Sequence, residues 1–155
     1  MMKDVYLAVA EGDGIIEAEL DKHGYYASVT RGPSMQPLFR THRDMVIIKR
    51  PSAPLKKYDV VLYTGGGNRY TMHRIIGVKD DEYVIRGDNT FKKEHVPKQN
   101  VIGVLTEFNR KGKHHSTDEL LFKIYSRVWH YLYPVRHFLH KMRTLMGKIY
   151  HKIFG

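Results

Sequence analysis

The chain of 155 residues has a hydrophobic fraction of 42% and a net charge of +10, a length suited to one domain with a small appendage. Those values exclude a disordered chain, and the absence of cysteine excludes disulfides, thiolate zinc sites and thiol redox chemistry. The charge is lopsided: residues 120–155 contain seven Lys and Arg and no Asp or Glu, so a tail of +7 leaves only +3 for residues 1–119.

The N-terminal segment is interrupted by Glu11, Asp13, Glu17, Glu19 and Asp21 and lacks the continuous apolar run of a signal peptide, so no export and a cytoplasmic location are expected. Residues 4–22 are expected to be helical, because Val5, Val9, Ile16 and Leu20 share one face with Ile15 at its edge. Leu7 lies off that stripe, and Gly12 and Gly14 are points at which the helix can split. From Gly24 the pattern changes to short runs rich in Val, Ile, Tyr and Thr. They predict six strands: Tyr25 to Thr30, Met45 to Lys49, Val60 to Tyr63, Tyr70 to Val78, Glu82 to Arg86 and Val101 to Phe108. Gly65-Gly66-Gly67-Asn68 reads as a hairpin loop and Lys79-Asp80-Asp81 as a second tight turn.

A boundary is expected near Lys111-Gly112-Lys113-His114-His115. Beyond it Ser116 or Thr117 can cap a helix, with Asp118 and Glu119 in the first turn. Apolar residues then recur with a helical period from Leu121 to Ile153, interrupted at Pro134, which predicts two basic amphipathic helices joined at a kink. The expected organisation is mainly β: a helical segment over 1–24, a compact β domain over 25–110, and a basic helical tail over 116–155.

The second tail helix has about the 20 residues needed to cross a bilayer. Its five Lys and Arg from Arg136 to Lys152 would cost about 2.5 to 3.5 kcal/mol each near mid-membrane, against about 0.3 to 0.6 gained per strongly apolar side chain. Crossing loses. Two uses stay open: lying in the interface of an anionic membrane through residues 120–155, or packing on the β domain or a second copy. Nucleic-acid binding is disfavoured, because Trp129, Tyr131, Tyr133 and Phe138 fall on or beside the apolar stripe.

Three further segments carry candidate chemistry. In Gly32-Pro33-Ser34-Met35-Gln36-Pro37 the two prolines restrict the backbone around Ser34, and Gly32 permits close approach to a substrate carbonyl. A serine hydroxyl becomes a nucleophile when a neighbouring base takes its proton and a third group steers the base. The Ser34 backbone N–H can face a developing oxyanion, while Pro33 has none to add. His73, on a strand and facing with Thr71 and Ile75, is a base of suitable strength near neutral pH. Asp88, in Gly87-Asp88-Asn89, and Glu94 are the acids. Their ordinary readings are an Asx turn and a solvated charge, just as an exposed turn is the ordinary reading of Ser34 and a structural imidazole that of His73.

Taken together, Ser34-Met35-Gln36-Pro37, Asp59-Val60-Val61-Leu62-Tyr63, His73-Arg74-Ile75-Ile76 and Gly87-Asp88-Asn89 resemble the motifs, in order, of the signal-peptidase and LexA-like serine peptidases. The resemblance covers about residues 25 to 108. Most bacterial members place a lysine base where His73 stands; archaeal and endoplasmic-reticulum signal peptidases resemble this chain in using histidine. Arg43 and Tyr58 stand where glycines often precede the aspartates matching Asp44 and Asp59, which leaves the local turn geometry open. No membrane helix or DNA-binding domain is legible before the serine box, so the layout resembles the small stand-alone bacterial members.

The resemblance implies a LexA/signal-peptidase-like β fold and a serine endopeptidase needing no metal or organic cofactor. Ser34 would attack, His73 would move the proton, Glu94 or Asp88 would orient the imidazole, and Gly32 and Met35 would shape the groove for an extended peptide with small residues at the cut. The expected partner is a peptide or protein substrate, a precursor or leader peptide, cleaved at the cytoplasmic membrane face. The alternatives are a histidine-type signal peptidase and a non-catalytic peptide- or membrane-binding module.

Overall fold

The computed structural model describes residues 14–65 and 69–154. The protein is mainly β: the described residues form eight antiparallel strands, a short helix before them and two C-terminal helices. The strands are β1 (Tyr26–Val29), β2 (Met45–Lys49), β3 (Val60–Gly65), β4 (Arg69–Val78), β5 (Glu82–Arg86), β6 (Glu94–Pro97), β7 (Val101–Arg110) and β8 (Lys113–Ser116). They pair in the order β1-β2-β7-β3-β4-β5-β6, with β8 added beside β7. The six strands expected from the sequence are β1 to β5 and β7, where β-branched and aromatic residues suit a pleated, buried surface; β6 and β8 are additional.

Because side chains alternate along a strand, the central strands supply two cores. Val60, Leu62, Tyr70 and Met72 join Met35, Leu38, Phe39, Ile102, Leu105 and Phe108 on one face, with Phe122 and Tyr125 packed over them. Val61, Tyr63, Ile75, Tyr83, Ile85 and Val96 form the other. His73 falls on this second face, as its alternation with Met72 requires.

Helix α1 (Ile15–His23) buries Ile16 and Leu20 and ends at Gly24, whose φ of 76° lets its N–H return to the Leu20 carbonyl. The expected earlier part of this helix, with Val5, Leu7 and Val9, lies outside the described residues, as do Gly66, Gly67 and Asn68 of the expected hairpin loop. Its flanks Gly65 and Arg69 are paired, as a β3–β4 hairpin demands.

The stretch read as a boundary at Lys111 to His115 is instead a tight hairpin. Lys111 and Gly112 have φ of 52° and 77°, the conformation that reverses a strand in two residues, and β8 returns alongside β7. The helix start accordingly moves. Thr117 is spent on the sheet, its N–H and hydroxyl both donating to the Thr106 carbonyl, and the cap of α2 (Leu120–Tyr131) is Glu119 rather than Ser116 or Thr117. The Glu119 carboxylate accepts the Ser116 N–H at 2.9 Å. Leu132 separates α2 from α3 (Tyr133–Phe154). Pro134 sits in the first turn of α3, where a missing N–H breaks no intrahelical bond. Among the described residues no helix is long and apolar enough to cross a membrane.

Tyr58, just before β3, has φ of 84°. A bulky residue in the left-handed region costs about 1 to 2 kcal/mol, so the backbone here keeps a shape that glycine adopts freely. Local bonds offset the strain: the Tyr58 N–H donates to the Ile75 carbonyl at 2.8 Å and its carbonyl accepts Arg74 Nη1 at 3.0 Å. At the other position that lacks glycine, Arg43 instead closes an ion pair with buried Asp44 at 2.7 Å.

Candidate active site

The turn after β1 brings Ser34 to the middle of β4. Ser34 Oγ lies 2.9 Å from His73 Nε2, although the residues are 39 positions apart. Both are enclosed, with 2% and 1% of their surfaces exposed. On the far side of the ring, His73 Nδ1 lies 3.1 Å from Glu94 Oε1 and 3.1 Å from the Tyr63 hydroxyl. Tyr63 in turn donates to Glu94 Oε2 at 2.8 Å.

This network fixes the tautomer by proton accounting. Tyr63 has one hydroxyl proton, and it goes to the Glu94 carboxylate. A lone pair on Nδ1 would then face two oxygens with no hydrogen between, so Nδ1 carries a proton, and in the neutral imidazole Nε2 is the acceptor for the Ser34 hydroxyl. That is the arrangement in which an imidazole can act as a base toward serine. The hydrogen bond from His73 draws the Glu94 pKa below the ordinary glutamate value, outweighing partial burial, which acts the other way.

Strand register explains the meeting. Val61 pairs with His73 across β3 and β4, so Tyr63, two residues along β3 on the same face, is the diagonal neighbour of His73. Arg74 pairs with Arg86, which sets Gly87 against His73. A Cβ at Gly87 would stand 2.8 Å from the Ser34 carbonyl oxygen and 3.0 Å from His73 Cδ2 and Nε2, so only glycine leaves room for the serine to close on the histidine. Asn89 then clamps the serine turn: its N–H donates to the Ser34 carbonyl at 2.7 Å and its Nδ2 to the Pro33 carbonyl at 3.2 Å. Glu94 arrives from the first residue of β6, paired with Ile85.

Asp88, the alternative acid, is not brought to His73. Its carboxylate takes Arg74 Nε and Nη2 at 2.8 Å each and the Tyr125 hydroxyl at 2.9 Å. Burial opposes the Arg74 charge, but Asp88 more than compensates and holds its pKa above the ordinary arginine value. Burial, then Asp88, pushes the Tyr125 phenol up, which keeps it a donor. Trp129 Nε1 and Arg136 Nη1 also donate to the Asp88 carbonyl, at 2.8 and 2.7 Å. Asp88 therefore ties the turn to α2 and α3.

Gly32 has φ of 79° and its carbonyl accepts the Thr41 hydroxyl at 2.8 Å, which sets the entry to the serine turn. Met35, expected to shape a substrate groove, is 1% exposed and packs in the first core beneath the turn. Its apolar side chain anchors the serine turn from inside. Tyr63, Gly87 and Asn89 lie within the sequence motifs, but their positions against the histidine and serine follow from register. Among the described residues, no group of three or more His, Asp or Glu side chains is placed to hold a metal ion. Compared with protein-family models, with curated proteins and with solved structures, the chain has no match.

Proposed function

We propose that the chain is a serine endopeptidase of the signal-peptidase and LexA-like type, in which Ser34 attacks a peptide carbonyl. His73 takes the serine proton at Nε2 and later passes it to the leaving amine, while Glu94 holds the imidazole by Nδ1. Tyr63 keeps the Glu94 carboxylate turned toward the ring. The observation that carries this reading is the 2.9 Å approach of Ser34 Oγ to His73 Nε2, with an acid on the opposite nitrogen.

An extended peptide is the substrate class. Among the described residues β1 ends the sheet, and the chain passes from it through Gly32 directly into the serine turn. A strand added to an open edge gains main-chain hydrogen bonds, and one laid along β1 leads toward Ser34. A precursor or leader peptide cut at the cytoplasmic face of a membrane suits the basic tail.

A fluorophosphonate probe tests the reading, because it adds covalently only to an activated serine. Labelling of the intact chain, lost in Ser34→Ala and His73→Ala, is expected by intact-mass measurement. Absence of labelling across neutral and alkaline pH would reject the hydrolase. The enclosure of Ser34 and His73 favours one second reading, a non-catalytic peptide- or membrane-binding module in which this hydrogen bond is structural. That module predicts no labelling and unchanged ligand binding in Ser34→Ala.

A further inference from the structure

Helix α3 turns its polar side to the protein and its apolar side outward. On α3 the inward side carries Tyr133, Arg136, His137 and His140. The Tyr133 hydroxyl donates to the Phe91 carbonyl at 3.2 Å, and the Phe91 ring lies against Tyr133, His137 and His140, stacked on the last at 4.4 Å. At 3.6 residues per turn the opposite side gathers Phe138, Leu139, Met142, Met146, Ile149 and Ile153. All are exposed, Phe138 by 62% and Met146 by 64%. α2 continues the stripe: Phe122 and Tyr125 face the core, while Leu121, Ile124 and Val128 face out. A helix side so apolar requires a cover.

Charge says what the cover is. Arg143 flanks the apolar side of α3 along one border, and Lys141, Lys148 and Lys152 flank it along the other. Residues 120–155 hold no acid. A second copy laid face to face would bring these four cations against four more with no carboxylate between them. A polyanion without an apolar phase would satisfy the lysines and leave Phe138 and Met142 in water. We propose that this face docks on an anionic lipid surface. α3 lies in the plane of the interface, with Phe138, Met142 and Ile149 below the headgroups and Arg143, Lys141, Lys148 and Lys152 at the phosphates.

The test is sedimentation of the full chain with vesicles of phosphatidylcholine, alone or with added phosphatidylglycerol. Binding about tenfold or more stronger to the anionic vesicles is expected, since each basic residue near such a surface contributes about 1 kcal/mol. Added salt should weaken it. F138D/M146D and K141E/K148E change only exposed positions, so unchanged circular dichroism should accompany loss of binding in both. Equal binding to neutral vesicles, no binding to either, or variants that bind like the parent would overturn the proposal. So would a concentration-dependent dimer in ultracentrifugation that F138D/M146D dissolves. Ser34→Ala should bind as the parent does, so this result stands or falls separately from the peptidase reading.

Discussion

His73 and Arg74 are neighbours on β4, face opposite sides of the sheet, and each meets a carboxylate, yet the two pairs are built differently. Arg74 and Asp88 are both buried and joined by two parallel bonds, with the Tyr125 phenol on the same carboxylate. Glu94 is 37% exposed at its side chain and meets His73 by one contact shared with Tyr63. The first pair is a strut, since breaking a buried ion pair leaves an uncompensated charge in the interior. The second pair keeps Glu94 partly in contact with solvent, as the proposed orienting role allows. One step along a strand separates architecture from chemistry.

Exchanging the charges one at a time sharpens that contrast. Glu94→Gln should remove most of the proposed peptidase activity, by as much as about 10⁴-fold where an orienting acid fixes the tautomer, with only a modest drop in melting temperature at neutral pH. Asp88→Asn should do the reverse and cost about 3 to 5 kcal/mol of stability, read by denaturant unfolding, because Arg74 loses its partner in the interior. Gly87→Ala lies between: the added methyl must push Ser34 and His73 apart, so labelling of the serine should fall with a stability loss of about 1 to 3 kcal/mol. Tyr63→Phe is the mildest, removing one hydrogen bond worth about 1 kcal/mol and slowing the reaction about tenfold or less. If Asp88→Asn slowed turnover at unchanged stability, the contrast would collapse.

The pairs also differ in pH response. Glu94 titrates below its ordinary value in the folded chain, chiefly through its bond with His73. The stability this contributes is fully present above the unfolded glutamate pKa, about 4.3, and is lost as pH falls from there through the lower folded value. The melting difference between the parent and Glu94→Gln should therefore be steady at neutral pH and close on acidification.

The strands with Val, Ile and Tyr at alternating positions were legible in the sequence because burial on both faces demands such residues. β6 was not: Glu94-His95-Val96-Pro97 ends in a proline and offers one apolar residue, which an edge strand tolerates. β8, Lys113 to Ser116, is wholly polar and offers no apolar pattern; it is held by the hairpin turn, by pairing with β7 and by side-chain contacts such as His115 stacked on Phe108. Ser34 and His73 were legible as chemistry on a turn and a strand. The choice between Glu94 and Asp88 was not, because it depends on which face of the sheet each carboxylate reaches, and that is set by pairing between distant strands. Tyr63 was hidden for the same reason. Met35 misled, since a residue beside a nucleophile can as well point into the core.

Asp88 gathers Arg74 from the sheet, Tyr125 and Trp129 from α2, and Arg136 from α3, one residue away from the glycine beneath the serine. The tail is therefore no detachable tag. Shortening the chain before α2 would strip three of those donors and slacken the turn that clamps Ser34, and a pull on α3 would be transmitted to the same spot. Whatever the helices hold on to, the serine is mechanically tethered to it.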